Sequence, residues 1–125
     1  MLRLFALAFL LPAAAFAQSV QGVWRTEPGD TGAYLHVRIA PCAGGDGTLC
    51  GEIIEAVGSA RSDLAGRTII SNMAPDGAGR WSGGTIWAPD DDRTYRSRMQ
   101  LTSAGLKVEG CVAIICRGPT WTRLD

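Results

Sequence analysis

The chain has 125 residues, and its 12 lysines and arginines balance 12 aspartates and glutamates. That length supports one domain and little more. The balance leaves no basic stripe to neutralise phosphates, which excludes nucleic acid as the main partner and argues equally against steering to anionic membranes.

The first element is a leader. Met1-Leu2-Arg3 carries one positive charge, Leu4 to Phe16 is apolar, and Ala15-Phe16-Ala17 places small residues where a signal peptidase cuts. Residues 1–17 are therefore expected to be a signal peptide, with a mature single β-barrel domain over 18–125. A membrane anchor is the alternative, but a spanning helix needs roughly 20 apolar residues. This run is shorter and ends in Gln18-Ser19, and no lipobox cysteine follows. No later stretch is long or apolar enough to span a bilayer, so no membrane span is expected after cleavage. The expected location is the periplasm, with the medium as the alternative.

Downstream, short alternating runs are separated by turn signals, the mark of antiparallel β structure. Val20 to Thr26 is the first run, and Glu27-Pro28-Gly29-Asp30 turns the chain. In Ala33 to Ile39, alternation puts Leu35, Val37 and Ile39 on one face and Tyr34, His36 and Arg38 on the other. The glycine-rich segment 43–47 is a loop. Leu49 to Ala56 follows, with Leu49, Gly51 and Ile53 sharing a face. Val57 to Arg80 is less regular: it holds the apolar patch Thr68-Ile69-Ile70, a turn at Pro75-Asp76-Gly77, and a short helix expected near Ser62 to Ala65. As the one long connection it is a natural place for a lid or binding loop. Trp81 to Trp87 resumes the β pattern, Pro89-Asp90-Asp91-Asp92 turns it, and in Thr94 to Leu101 the residues Tyr95, Ser97, Met99 and Leu101 oppose Thr94, Arg96, Arg98 and Gln100. Leu106 to Val112 and Thr120 to Leu124 complete the set.

The four cysteines, Cys42, Cys50, Cys111 and Cys116, all lie in the mature part. An even count in an exported chain reads as two disulfides. Of the three connectivities, Cys42–Cys50 and Cys111–Cys116 are favoured because each pair brackets a tight turn. Zinc is the alternative, but neither pair has CxxC spacing and His36 is the only histidine. No metal and no cofactor are expected.

Seven or eight short strands with one buried face predict an all-β fold. The expected form is a small antiparallel up-and-down barrel, because closure removes exposed edges. In such a meander the terminal strands are neighbours. Gly22-Val23-Trp24 on the first and Trp121-Thr122-Arg123 on the last would then meet, with an arginine over the Trp24 ring. This pairing of Gly22, Trp24, Trp121 and Arg123 resembles the closure signature of lipocalin-like barrels.

A broader resemblance covers nearly all of the mature chain. It is carried by Gly22-Val23-Trp24-Arg25-Thr26, Leu49-Cys50-Gly51-Glu52-Ile53, Trp81-Ser82-Gly83-Gly84-Thr85-Ile86, and Pro89 with Thr94-Tyr95. Leu106-Lys107-Val108-Glu109-Gly110-Cys111, Cys116-Arg117 and Thr120-Trp121-Thr122-Arg123 complete it. In order and spacing the chain resembles the secreted bacterial proteins grouped as domain of unknown function 2147. The resemblance implies an exported lipocalin-like barrel and no established activity. The stretch Ala56 to Asn72 departs from the family pattern.

Catalysis finds little support. His36 falls on an outer face with no nucleophile motif beside it. Glu52, Glu55 and Glu109 could pair for acid–base work, but Glu109 alternates outward. Asp90-Asp91-Asp92 lacks the spacing of a calcium loop and reads as a solvated turn. Trp24 and Trp121 are assigned to the core, Trp81 and Trp87 to the lining of a mouth, and Arg96 and Arg98 to the outer face. The expected function is non-catalytic binding of a small apolar or amphipathic ligand inside the barrel, by Leu35, Val37, Ile53, Tyr95, Met99 and Val108 with Trp87 near the rim. The alternative is an envelope protein–protein module, such as a hydrolase inhibitor, presenting Pro75 to Trp81 and Asp90 to Arg93.

Overall fold

Alternating apolar and polar side chains need a sheet with one buried face, and the chain supplies it with nine antiparallel strands. The computed structural model describes residues 20–125, so the expected leader over 1–17 and the start of the mature chain at Gln18 lie outside the described residues. The strands are β1 (Gly22–Arg25), β2 (Tyr34–Pro41), β3 (Leu49–Val57), β4 (Thr68–Pro75) and β5 (Arg80–Ala88), then β6 (Arg93–Thr102), β7 (Gly105–Val112), β8 (Ile115–Arg117) and β9 (Thr120–Arg123). Each of β1 to β7 pairs with the next, and β9 returns to lie between β7 and β1. The eight strands β1–β7 and β9 thus close on themselves, leaving no long unpaired edge.

β8 is an additional strand in line with β9. One edge of β7 pairs with β6 from Gly105 to Cys111. The other edge is shared: Leu106 and Lys107 face Trp121 and Thr120 of β9, while Gly110 to Val112 face Arg117 to Ile115 of β8. Gly118-Pro119 interrupts the line. Proline has no N–H to donate, and a Cβ at Gly118 would overlap the Val108 carbonyl. The Pro119 carbonyl still accepts from the Val108 amide, at 3.1 Å.

Closure joins the chain ends. Trp24 lies opposite Arg123, and Arg25 opposite Thr122. The Arg123 guanidinium sits 4.3 Å from the centre of the Trp24 ring, within the range of a cation–π contact. Gly22, at φ 139°, leaves room for this cluster: a Cβ there would come 2.7 Å from the Asp125 carboxylate and 3.0 Å from Arg123 Nη1. Trp24 Nε1 donates to the Val20 carbonyl at 2.9 Å, which folds Val20 into the barrel floor.

Three expectations change in the structure. The stretch read as irregular contains β4, and the true connection is only 58–67. Adjacent buried Ile69 and Ile70, then Asn72 at φ 56°, break the period of two and hide the strand. Among the described residues there is no helix, so none forms at Ser62 to Ala65. Four residues are too few to nucleate one, and the amides there bond elsewhere: Gly66 N to the Ile53 carbonyl at 2.7 Å and Arg67 N to that of Leu64 at 3.1 Å. Finally, the β5–β6 register shifts between Trp81 and Gly84. That inserted residue reverses the facing of the strand. Trp81 points inward, and Trp87, six residues on, points outward.

The core holds Val37, Ile39, Ile53, Ile70 and Met99 along the barrel, with Leu64 reaching in from loop 58–67. One end is filled by Val20, Trp24, Leu49, Met73, Trp81, Leu106 and Trp121, all buried. The disulfides join Cys42 to Cys50 across the β2–β3 loop and Cys111 to Cys116 across the β7–β8 turn.

Candidate functional site at the open end of the barrel

The end opposite Val20 carries a different kind of residue. Here the inward positions of β5, β6 and β7 are Gly84, Ile86 and Ala88, then Tyr95 and Ser97, then Gly110 and Val112, aligned by the pairs Ile86–Tyr95, Gly84–Ser97 and Ser97–Gly110. Small side chains leave the wall thin, and a cup of about 370 Å³ opens between them. Ile86, Ala88, Tyr95, Val108, Gly110 and Val112 line it, and Arg117, Gly118 and Pro119 form one rim. Gly110 sets its width: a Cβ there would already touch Tyr95 Cβ at 3.5 Å and Ile86 Cγ2 at 3.6 Å, so a larger side chain would crowd the wall that these two residues form. Ser97 adds no free polar atom to the floor, because its hydroxyl donates to the Glu109 carbonyl at 2.6 Å. Only Tyr95 and Arg117 bring functional side chains to the cup.

A second, smaller hollow of about 160 Å³ lies at the same end, between the β1–β2 turn, loop 58–67 and the β5–β6 turn. Leu35 and Leu64 give it an apolar side, and Arg61 and Asp90 a polar one. Loop 58–67 is latched across it. Arg61 Nη1 donates to the Pro89 carbonyl at 3.0 Å, and its Nε and Nη2 grip Asp63 at 3.1 and 2.8 Å. The Arg61 guanidinium beside it holds the Asp63 carboxyl below the usual carboxylate range, and Asp63 in turn raises Arg61. Arg67 stacks on the outer side of Trp87, 3.8 Å from the ring centre.

The residues singled out from the sequence fall into three groups. Tyr95 and Val108 line the cup and Leu35 the smaller hollow. Val37, Ile53 and Met99 are enclosed core and line neither space. Trp87 does not line the mouth either: its ring is on the outer wall, and its Nε1 donates to Asp92 Oδ1 at 2.9 Å. Trp81 is buried in the filled end, so the segment Pro75 to Trp81 does not present it to a partner. Sequence reading missed Ile86, Ala88, Gly110 and Val112. The available signal was the pair of glycines inside strands, Gly84 and Gly110, which mark close approach or space.

The charged residues weighed for chemistry are paired across strands on the outer wall. His36 Nδ1 stands 3.2 Å from Glu55 Oε2, Arg38 lies opposite Glu52, and Arg98 Nε donates to Glu109 Oε1 at 3.1 Å. Asp90 to Asp92 form the β5–β6 turn, with Asp92 at φ 51°, and among the described residues no cluster of side chains is arranged to hold a metal. No helix of the described residues is long and apolar enough to cross a membrane.

Comparison with known proteins agrees with this architecture. No curated protein sequence matches the chain. A solved structure described as "Protein HP1028 from the human pathogen Helicobacter pylori belongs to the lipocalin family" superposes with a TM-score of 0.68. The two are 20% identical, over 85% of this chain and 83% of that one, a likeness of fold. The model of DUF2147, described as uncharacterized protein conserved in bacteria, matches residues 22–123, and the chain belongs to that family.

Proposed function

We propose that this barrel is a non-catalytic binding protein for a small apolar or amphipathic ligand, exported to the bacterial periplasm. The observation that carries the reading is the apolar cup of about 370 Å³ at the open end. Ligand sites run from about 300 to 1,000 Å³ and are mostly apolar with a few placed polar groups. Here the apolar wall is Ile86, Ala88, Tyr95, Val108 and Val112, and Arg117 at the rim suits an acidic end group. Export is supported by the charged and apolar pattern of residues 1–17 and by two disulfides, which persist in oxidising compartments.

The test is uptake of an apolar fluorophore, N-phenyl-1-naphthylamine, and its displacement by a lipid extract of the host. Gly110 does not have a positive φ, so it accepts a side chain. Gly110→Leu fills the cup and should lower uptake at least tenfold with the barrel still folded. Wild-type protein that takes up neither probe nor extract component, or a Gly110→Leu variant that binds as wild type does, would sink the reading.

A further inference from the structure

The wall of the barrel is hydrogen-bonded along only part of its seam. β1 meets β9 at Trp24–Arg123 and Arg25–Thr122, and the Leu124 amide donates to the Val23 carbonyl at 2.9 Å. Beyond Arg25 the pairing ends. Thr26 turns to β2: its amide donates to the Leu35 carbonyl and its hydroxyl accepts from the Leu35 amide, both at 2.9 Å. Pro28 then fixes its own φ and has no N–H with which to continue the strand. The line of β8 and β9 extends further towards the mouth. A groove of about 410 Å³ separates the two, with Thr26 and Glu27 on one bank and Gly118 and Thr120 on the other.

Antiparallel neighbours alternate between pairs that exchange hydrogen bonds and pairs that do not, and this decides which backbone groups face the groove. The Val108 amide donates to the Pro119 carbonyl at 3.1 Å, so Pro119 turns its backbone to β7 and Thr120, next in line, turns its own away. The register of β8 on β7 continues that of β9. Cys111 and Cys116 form a pair without hydrogen bonds. Their Cα atoms are 4.0 Å apart, against about 4.5 Å for such pairs and about 5.5 Å for bonded ones. The N–H and C=O of Cys116 therefore also point away from β7. Among the described residues, no backbone bond from Cys116 or Thr120 crosses the groove. Proline or charge usually blunts a free edge. Here the missing N–H of Pro119 is on the β7 side, and Cys116 and Thr120 are uncharged.

The face of this edge that joins the cup carries exposed aliphatic side chains. Ile115 lies opposite Val112 and Arg117 opposite Gly110, which puts Ile115 on the same face as the cup lining. Val112 is 65% exposed and Ile115 57%. Charge selects no partner here. Asp90, Asp91, Asp92 and Glu109 balance Arg93, Arg96, Arg98 and Arg117, and Arg25 and Glu27 offset each other across the groove. The turn and β8 offer too few residues for a stable contact with a second copy, which takes about 20–30 a side. Unpaired backbone groups select another extended backbone, which binds by adding a strand. We propose that the free edge of β8 and β9 receives an extended peptide segment of another protein. It lies in the groove as one added strand, paired with Cys116 and Thr120, and apolar side chains at alternate positions cover Val112 and Ile115. This interaction does not rest on the ligand binding proposed above.

The probe is a fluorescein-labelled heptapeptide of alternating valine and threonine with blocked ends. Anisotropy measures its binding, and amide exchange followed by NMR reads the edge. With peptide bound, the Cys116 and Thr120 amides should exchange about tenfold more slowly or better. The Ile115 and Arg117 amides, which face β7, should not change. Added salt should leave the affinity as it is. Ile115→Lys should lower it about tenfold, through loss of one covered aliphatic side chain, whereas Ile114→Ser in the turn should leave it unchanged. The same peptide with proline in place of each valine should not bind. Wild-type chain that takes up no peptide, peptide that binds without slowing Cys116 and Thr120, or Ile114→Ser that loses as much affinity as Ile115→Lys overturns the proposal. So does a dimer whose Cys116 and Thr120 amides are protected before peptide is added, which would make the edge a contact between copies.

Discussion

The two ends of the barrel are built from the same strands and filled by opposite means. At the floor, Trp24, Trp81 and Trp121 meet Val20, Leu49, Met73 and Leu106, and large side chains use the interior completely. At the mouth, Gly84, Ala88, Ser97 and Gly110 occupy the matching inward positions, and the interior is left open. Stability is therefore concentrated at one end and accessible space at the other. A binding site can be widened or narrowed at the mouth with little effect on whether the chain folds.

The sharpest test of this division compares two aromatic truncations. Trp24→Ala should cost about 3–5 kcal/mol, the range for large core aromatics. Tyr95→Ala at the mouth should cost less than half as much and act mainly on ligand uptake. Urea unfolding of both variants decides it, and equal losses would erase the distinction. Removing the Cys42–Cys50 disulfide by a double change to serine should cost about 2–3 kcal/mol, as short closed loops do, with a lower midpoint and fluorophore uptake retained. Arg123→Met keeps the length of the side chain over Trp24 but removes its charge. A loss of about 0.5–2 kcal/mol is expected, the worth of a cation–π contact. The smallest effect concerns the latch at the mouth. Asp63 is held below its ordinary value in the folded chain, so its contribution is present above the unfolded value of about 4 and disappears as pH falls through the folded one. Hydrogen exchange should show loop 58–67 loosening at acid pH before the floor strands respond, and Asp63→Asn should show the looser loop already at neutral pH.

Much of the fold was legible because most strands keep strict alternation. The closure of β1 on β9 followed from Gly22, Trp24 and Arg123, and the disulfide pairs from spacing alone. What escaped was lost at irregularities. One inserted residue near Ser82-Gly83 reversed Trp87 and turned a supposed lining residue into an outer-wall platform for Arg67. The Asn72 irregularity concealed a whole strand. The cup was illegible for a different reason: it is made by what is missing at Gly84, Ala88 and Gly110, and a search for apolar runs does not register small residues. Apolar alternation marks Val37, Ile53 and Met99 instead, which fill the barrel.

The positions of Val20 and Asp125 carry a practical consequence. Both belong to the floor: the Val20 carbonyl receives the Trp24 indole, and Asp125 Oδ1 accepts from the Val23 amide at 3.0 Å. A tether attached beyond Asp125 would leave the molecule standing upright, its cavity pointing away from the support. Immobilised that way on a sensor chip, or hung from a fluorescent reporter, the protein would sample solution without obstruction.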